Sequence, residues 1–346
     1  MTSLEVHELT VHFDGRPIVE NLSIVVPSGA FAAVLGPSGC GKTTFLRSIA
    51  GLITPSSGTI RFGKQLVSIS SLVLPPNKRH IGYVPQEGGL FPHLNVAENI
   101  GFGVSKNEKI DVVDEMLDLV GLKNLATRKP YQLSGGQQTR VALARALAIK
   151  PQIVLLDEPF GALDAALRNE LREEVCNLLK ERKTTALMVT HDREEALVSA
   201  DIVALMRHGQ ILQYGSSRNV YSNPISPEIA VSTGDVLLLK AERDASKSIR
   251  FALSQIDLKG EIELGQLVIR PEEIIVSPEP SAASLSAIVT KVDYYGHDAV
   301  LQLLLDSWPD EEITARIAGP LGFSVGQKLW VKHAGPIRWF ELPHKK

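Results

Sequence analysis

Several features that hold other kinds of protein together are scarce in this sequence. Its 346 residues include only two cysteines, Cys40 and Cys176. A disulfide framework is therefore excluded and a reducing compartment is favoured. The first residues have neither a basic nor an apolar stretch, so we expect no secretory signal. No apolar run approaches the roughly 20 residues that a membrane-spanning helix needs, so a role in a membrane would require a partner protein.

Neither sign of charge predominates. Lys and Arg total 36 against 39 for Asp and Glu, which gives a net charge of −3. The chain therefore lacks the basic excess that gathers nucleic acid, and we expect no nucleic-acid partner. Hydrophobic residues make up 44% and charged residues 22%, values typical of a folded globular protein. The length favours two domains, or three, over a single core.

Short apolar runs alternate with helical patterns over the first two-thirds of the chain. This alternation predicts an α/β fold with a mostly parallel sheet covered by helices. One predicted helix has Leu167, Leu171, Val175 and Leu178 on a single face. Residues 95–150 have helical periodicity and little strand character, which predicts an inserted α-helical subdomain. The predicted strands are Phe31–Leu35, Ile60–Phe62, Ile81–Val84, Ile153–Leu156, Ala186–Val189 and Ile202–Met206.

The pattern changes after about Gly215, where Pro224 and Pro227 interrupt regular structure. Beyond Asp235, short alternating runs are separated by Gly, Pro and Asp, which predicts a small all-β, barrel-like domain. We therefore expect one domain at 1–234 and a second at 235–346. The predicted strands are Ile262–Leu264, Leu267–Ile269, Ile274–Val276, Ala287–Val292, Ala299–Leu305, Ile313–Ile317 and Leu329–Lys332.

A phosphate-binding motif follows the first predicted parallel strand and precedes a predicted helix, Thr43–Ala50. Its glycines allow backbone N–H groups to surround phosphate oxygens at the positive end of the helix. Lys42 would bind the β- and γ-phosphates, and the Thr43 hydroxyl would bind Mg²⁺. We expect ATP and Mg²⁺ as cofactors. The nucleotide-binding candidates are Gly36, Pro37, Ser38, Gly39, Cys40, Gly41, Lys42, Thr43 and Thr44.

Two carboxylates stand at the end of the apolar strand Ile153–Leu156. Asp157 is placed to hold Mg²⁺, and Glu158 to orient and activate the attacking water. A solvated strand end, or the cap of the next helix, is the alternative. The phosphate-binding motif in the same chain favours the catalytic interpretation.

A second glycine-containing turn precedes the predicted helix 138–149. It is formed by Ser134, Gly135, Gly136 and Gln137, and a hydroxyl with glycine amides at a helix start can bind an anion. Two phosphate-facing loops in one chain suggest that two copies combine, each nucleotide lying between the loop of one copy and the Ser-Gly-Gly of the other. An ordinary helix cap is the alternative.

In this order, the motifs resemble those of the ATP-binding subunits of ATP-binding cassette (ABC) transporters. Leu133–Gln137 is similar to the family signature, and the resemblance extends from Leu4 to about Asn223. It implies a P-loop ATPase core with an inserted helical subdomain. Members of this family act as dimers, so the resemblance also implies a homodimer.

The resemblance implies further roles, residue by residue. Phe13 resembles the aromatic residue that stacks on adenine, the alternative being a core or edge aromatic. Gln86 resembles the glutamine that contacts Mg²⁺ and water and senses the membrane partner. His191 resembles the switch histidine that contacts the γ-phosphate, the alternative being a structural histidine. Asp164 resembles the aspartate that couples the two sites of the dimer.

The β region after Asp235 resembles the regulatory (TOBE-type, OB-like) domain of importer ATPases. This implies two membrane-spanning permease subunits, an extracytoplasmic solute-binding protein and a peripheral position on the cytoplasmic face of the inner membrane. The segments Gln86–Leu94 and His191–Ala196 are most similar to the ferric-iron branch. Sulfate, polyamines, sugars or another anion remain alternative cargoes. A soluble ABC-type assembly ATPase is a further alternative, as is an unrelated P-loop kinase or GTPase.

Overall fold

A computed structural model describes residues 2–69, 72–86, 89–161, 163, 165–243, 249–251, 254–256, 264–319 and 322–341. The chain divides into two compact units, residues 1–220 and 221–346. Each unit has its own hydrophobic core.

The strands of the first unit form two sheets. They are β1 (Leu4–Phe13), β2 (Arg16–Val26), β3 (Phe31–Leu35), β4 (Ser57–Phe62), β5 (Gln65–Ile69), β6 (Leu72–Val73), β7 (Ile81–Val84), β8 (Ile153–Asp157), β9 (Thr185–Thr190), β10 (Ile202–Arg207) and β11 (Gln210–Gly215). The helices that begin in this unit are α1 (Lys42–Ala50), α2 (Val96–Ile100), α3 (Lys109–Leu119), α4 (Gly135–Ala148), α5 (Ala165–Glu181), α6 (Arg193–Ser199) and α7 (Ser217–Ser222).

The central sheet has the order β11-β10-β3-β9-β8-β7 and is parallel except for β11. Every residue of β3, β8 and β9 is buried, as expected of strands covered by helices on both faces. Parallel strands end at one edge of the sheet, so the residues that follow β3, β7, β8 and β9 lie close together. That edge carries the candidate site.

A separate antiparallel sheet, in the order β2-β1-β4-β5-β6, contributes to the same core. The sequence predicted only Ile60–Phe62 of this sheet. Buried and exposed residues alternate irregularly along β1, because its pairing with β2 shifts register at several points. The weak alternation explains why the sequence pattern did not reveal the sheet.

The helices α2, α3 and α4 lie between β7 and β8 in the chain, joined by loops and short 3-10 turns. The side chain of Asn95 caps α2 and Glu98 completes a capping box. On α4, the Arg140 guanidinium donates to the Val120 carbonyl after α3, 3.0 Å away. None of the helices in the described part of the chain is both long enough and apolar enough to span a bilayer.

The second unit is mainly β, as predicted. It contains α8 (Pro227–Thr233) and the strands β12 (Leu237–Arg243), β13 (Ile249–Phe251), β14 (Ser254–Ile256), β15 (Leu264–Ile269), β16 (Ile274–Ser277), β17 (Leu285–Tyr294), β18 (Asp298–Leu305), β19 (Trp308–Ala318), β20 (Lys328–His333) and β21 (Arg338–Glu341). The described strands form the sheets β14-β13-β12-β15-β21 and β16-β20-β17-β18-β19, which share one core. The barrel-like fold class is confirmed; of the predicted run Ile262–Leu264, residues 262 and 263 lie outside the described residues.

The boundary between the units lies earlier than the predicted one at 234/235. Arg270, completely buried, explains the difference. Its guanidinium donates to the carbonyls of Tyr221, Ala230 and Asp235 and to the Thr233 hydroxyl, at 2.8–3.2 Å. These bonds join residues 221–235 to the β strands, so α8 belongs with the second unit.

Candidate functional site

The phosphate-binding loop runs from Gly36 after β3 to Gly41 before α1. Gly39 and Gly41 have φ angles of +79° and +105°, values that side chains other than glycine rarely adopt. A Cβ on Gly36 would lie 2.3 Å from the Met206 carbonyl oxygen. Because the helix cap is a glycine, no side chain caps the first N–H groups of α1, and these donors are suited to an anion.

Lys42 lies across this loop. Its ammonium donates to the carbonyls of Gly36 (2.8 Å) and Pro37 (3.0 Å), and the residue is only 5% exposed. The charge is thus held in the concave face of the loop, where a triphosphate would meet it. Burial raises the pKa of the neighbouring Cys40 thiol, which makes this cysteine a poor nucleophile.

Two of the predicted magnesium ligands, Thr43 on α1 and Asp157 at the end of β8, are in direct contact. The Thr43 hydroxyl donates to Oδ1 of Asp157 at 2.9 Å. Asp157 is fully buried, and burial raises the pKa of its carboxyl. Its Oδ2 atom has no hydrogen-bond partner among the described residues, which is unusual for a buried carboxylate. A hydroxyl beside an unpartnered carboxylate oxygen fits Mg²⁺, which prefers oxygen ligands.

The structure brings together the three predicted catalytic residues. Gln86 donates from Nε2 to Oε2 of Glu158 at 3.0 Å, and Nδ1 of His191 lies 3.1 Å from Oε1 of Glu158. The residues follow three adjacent strands, β7, β8 and β9. Both carboxylate oxygens of Glu158 are therefore held by neighbours within hydrogen-bond reach, as a positioned general base requires.

The backbone at Glu158 explains how the carboxylate is directed. Its φ angle is +48°, uncommon for a residue other than glycine. The N–H of Glu158 donates to the Val189 carbonyl at 3.0 Å and so stays fixed to β9. This turn directs Asp157 and Glu158, neighbours in sequence, to different partners, one to Thr43 and the other to Gln86 and His191.

Ser134 caps α4, the alternative that the sequence left open. Its hydroxyl accepts from the Gln137 N–H at 3.3 Å, and the Gln137 side chain accepts from the Ser134 N–H at 3.0 Å. A Cβ on Gly135 would meet no atom within 4 Å. The helix start is therefore open beside its cap, which is compatible with an anion ligand as well. No contact described in the chain joins this turn to the phosphate-binding loop.

Two further candidates remain, of which the structure describes only Phe13. Phe13 ends β1 and is 49% exposed, so one face of its ring is available for stacking. Asp164 lies outside the described residues.

Sequence reasoning missed the buried Arg79. Its guanidinium donates to the carbonyls of Ser48 (3.1 Å) and Ile49 (2.6 Å) at the C-terminal end of α1. It thereby satisfies carbonyl groups that a helix end leaves unpaired. The contact spans about thirty residues and follows no motif, so the sequence carries no signal for it. Arg79 supports the helix on which Lys42 and Thr43 stand.

Comparison with known proteins agrees with this geometry. The ABC transporter family profile matches residues 19–161. The Fe(3+) ions import ATP-binding protein FbpC of Pseudomonas fluorescens is 40% identical over 97% of this chain and 97% of its own length. FbpC 2 of Pectobacterium atrosepticum is 39% identical over 97% of this chain and 99% of its own.

Solved structures give the same result for the fold. The bacterial ABC transporter cassette MJ0796, solved as a dimer, matches with a TM-score of 0.56 and 29% identity. A second dimeric structure of MJ0796, a post-hydrolysis state with ADP and Pi, matches with a TM-score of 0.57. Each match covers 62% of this chain and 99% of the other. On this evidence the chain belongs to the ABC transporter family, as an ATP-binding subunit whose enzymatic activity is ATP hydrolysis.

Proposed function

We propose that this chain is the motor subunit of an importer for ferric iron. The relatives that match nearly its whole length are named as Fe(3+) import ATP-binding proteins. The iron is cargo of the transporter, and the chain supplies the energy. The same motor could serve sulfate, polyamine, sugar or other anion import, but no contact in the described residues favours one of those cargoes.

The observation that best supports the proposed chemistry is the pair of contacts that Gln86 and His191 make with Glu158. Gln86 and His191 hold its two carboxylate oxygens at 3.0 and 3.1 Å. Glu158 accepts a proton from the water that attacks the γ-phosphate, Gln86 orients this carboxylate, and His191 contacts the γ-phosphate. Lys42 attracts the β- and γ-phosphates.

The oxygens around Thr43 and Asp157 support a magnesium site. We propose Thr43, Asp157 and Gln86 as its ligands. When bound, Mg²⁺ neutralises charge on the transferred phosphoryl group. The fit rests on the unpartnered Oδ2 of Asp157 beside the Thr43 hydroxyl.

We propose that the active form contains two copies of the chain. Ser134, Gly135, Gly136 and Gln137 would bind the nucleotide held by the other copy, and Asp164 would couple the two sites. Support comes from the dimeric state of the solved relatives. Phe13 would stack on the adenine of its own nucleotide.

The membrane partners are two permease subunits, with a solute-binding protein that delivers cargo from outside. Exposed aromatic residues of the helical region suit a permease: Phe102 is 60% and Tyr131 79% exposed. Phe91 packs on Phe102 with ring centroids 4.3 Å apart. Such a patch close after Gln86 in sequence supports contact with an apolar partner. The chain would lie peripherally on the cytoplasmic face of the membrane.

An uptake assay tests the cargo. A strain that lacks the chromosomal gene is complemented with the wild-type chain or with Glu158→Gln, and uptake of ⁵⁵Fe(III), sulfate, polyamines and sugars is measured. We expect the wild-type chain alone to restore iron uptake. Restored uptake of a different solute, with iron uptake unchanged, would replace iron as the cargo while leaving the motor intact.

A further inference from the structure

We propose that Glu195 is a positioning residue for His191, acting through the hydroxyl of Thr190. The inference rests on the role proposed above for His191. It concerns how the protein fixes the turn on which this histidine stands, residues 190–192, and it assigns a purpose to a buried carboxyl group that the ATP site does not contact.

The Thr190 hydroxyl makes two hydrogen bonds, one as donor and one as acceptor. It donates to Oε2 of Glu195 and accepts from the N–H of Asp192 at 3.0 Å. His191 lies between Thr190 and Asp192 in sequence, so this hydroxyl closes the turn around it. The N–H of Asp192 donates to the hydroxyl oxygen, and the hydroxyl donates its own hydrogen bond to Glu195. Glu195 therefore determines the direction in which the Thr190 O–H bond points.

Asp192 completes the arrangement. Its Oδ1 atom accepts from the N–H groups of Glu194 (2.9 Å) and Glu195 (3.1 Å), which caps α6. The turn is therefore fixed to β9 by Thr190 and to α6 by Asp192, while Glu195 links the two. The backbone of His191 has little freedom left, and its Nδ1 atom is held 3.1 Å from Glu158.

Burial of the Glu195 carboxyl group lowers the stability of the protein. The residue is 4% exposed, and its Oε1 atom has no hydrogen-bond partner among the described residues. A buried carboxyl oxygen without a partner lowers stability. A cavity of about 80 Å³ adjoins it, and Glu158, His191 and Glu195 are all among the residues that line this cavity. Glu195 thus borders the same cavity as His191, the residue that it is inferred to position, and Glu158.

The charge of Glu195 changes near neutral pH. Burial raises its pKa to about 7, with Asp192 adding to the rise, while the Thr190 hydroxyl, Arg168 and Arg172 act in the opposite direction. A hydrogen bond to an ionised carboxylate is stronger than one to the neutral acid. Turnover should therefore fall as the pH drops through about 7, because the turn that carries His191 is then held less firmly.

The test uses the full-length chain and steady-state ATP turnover. Thr190→Val removes the hydroxyl and nearly keeps the shape, and Glu195→Ala removes its acceptor. Each should lower kcat roughly 10- to 10²-fold with little change in KM, because misplacement of a catalytic group costs about that much. The double variant should be no worse than Thr190→Val, because the hydrogen bond that Glu195→Ala removes is one of the two that Thr190→Val already removes.

Conservative variants provide the rescue. Thr190→Ser keeps the hydroxyl, so it should retain most of the turnover. Glu195→Gln keeps only a neutral acceptor oxygen, so its turnover should match that of the wild type at low pH and exceed that of Glu195→Ala. Glu195→Gln should also lose the fall in kcat below about pH 7. The matched control is Glu194→Ala, an exposed neighbour on the same helix, which should behave as the wild type. If Glu195→Ala fails to fold, Thr190→Val against Thr190→Ser decides alone.

Several results would overturn the inference: unchanged kcat in Thr190→Val, additive losses in the double variant, or the same pH profile in Glu195→Gln and the wild type. His191→Ala, measured in parallel, separates this outcome from failure of the proposed function. A large loss in His191→Ala with none in Thr190→Val rejects only the inference. Unchanged turnover in His191→Ala rejects the role proposed for the histidine itself.

Discussion

Three carboxyl groups, Asp157 and Glu195 in the first unit and Glu273 in the second, are bonded in opposite ways. In residues 1–220, Asp157 and Glu195 each keep one oxygen without a hydrogen-bond partner among the described residues, and burial raises both pKa values. In residues 221–346, the Glu273 carboxylate accepts hydrogen bonds from both terminal nitrogens of Arg338 (2.9 and 2.8 Å) and from the backbone N–H of Arg270 (2.9 Å). Burial pushes the pKa of Glu273 upward, but His333 and Arg338 outweigh it and hold the value at about 2.

This difference distinguishes a carboxylate that stabilises the fold from one that can take part in binding or catalysis. A carboxylate whose oxygens already accept hydrogen bonds from the protein stabilises the fold, and it has no free oxygen with which to bind a ligand. One with a spare buried oxygen lowers stability and can bind a cation or move a proton. The contrast predicts that changes at the first kind of residue alter folding, and that changes at the second alter chemistry.

The largest effect is expected at Glu158. Glu158→Gln keeps the shape of the side chain and removes the base, so turnover should fall by roughly 10²- to 10⁴-fold. ATP binding should persist, since Lys42 and the loop are untouched. Turnover and a nucleotide titration on the same sample provide the measurement. Near-normal turnover would remove Glu158 from the role of proton acceptor.

Lys42→Ala should weaken ATP binding by roughly 10- to 10²-fold, the value of one lost hydrogen bond to a charged group. The ammonium already lies within the loop, bonded to the Gly36 and Pro37 carbonyls. A fluorescent nucleotide titration measures the effect. Lys64→Ala, an exposed lysine elsewhere in the same unit, is the control. Equal affinities in the two variants would contradict the phosphate-loop assignment.

Glu273→Gln tests the structural carboxylate of the second unit. It should destabilise residues 221–346 by about 1–3 kcal/mol, because it weakens charge-assisted hydrogen bonds to Arg338. ATP turnover should not change. Hydrogen exchange of that unit within the full chain measures the loss, and the exposed Glu279→Gln serves as control. A fall in turnover without a change in exchange would place Glu273 with the functional carboxylates.

The last prediction concerns the pH dependence of stability, which has opposite signs in the two units. The folded pKa of Glu195 is raised from 4.5 to about 7. Its contribution to stability is therefore complete below pH 4.5 and is lost as the pH rises through 7. The pKa of Glu273 is lowered to about 2, so its contribution is present above pH 4.5 and is lost as the pH falls toward 2.

Denaturant unfolding at a series of pH values checks these signs. Relative to Glu195→Gln, the wild-type free energy of unfolding should fall between pH 4.5 and 7. Relative to Glu273→Gln, it should fall only below pH 4.5. A constant difference between the wild type and Glu195→Gln across pH 4.5–7 would contradict the raised pKa.

Local patterns predicted the elements that carry the chemistry. The strands Phe31–Leu35 and Ile81–Val84 have the predicted limits, because continuous apolar runs are bounded by residues that end strands. Contacts between distant segments were not predictable. No local pattern indicates that Arg79 reaches α1 or that Arg270 holds α8. In α5 the periodicity selected Leu178, yet the more deeply buried residue is Leu179, and Leu178 is only half-buried.

The site shows the same division. The phosphate-binding loop and the carboxylates after β8 could be recognised from residue type and order. The roles of Gln86 and His191 were implied by family resemblance alone. Their contacts with Glu158 were not predicted, since each of the three residues follows a different strand. The hydrogen bond between Thr190 and Glu195 was not predicted. Glu195 lies in the segment His191–Ala196, which was noted only for its similarity to the ferric-iron branch, and Thr190 belongs to no motif.

The most direct test asks whether two copies close over ATP. Light scattering of Glu158→Gln with Mg²⁺ and ATP measures this, because blocked turnover should trap the closed form. Ser134→Asp is added to that variant: aspartate still caps α4 but places a negative charge toward the triphosphate. Asn95→Asp, the same type of change at the cap of α2, is the matched control.

The account predicts an ATP-dependent doubling of mass for Glu158→Gln alone and with Asn95→Asp, and a monomer that still binds ATP when Ser134→Asp is present. An equally stable dimer with Ser134→Asp, or a Glu158→Gln protein that stays monomeric at saturating ATP, would contradict it.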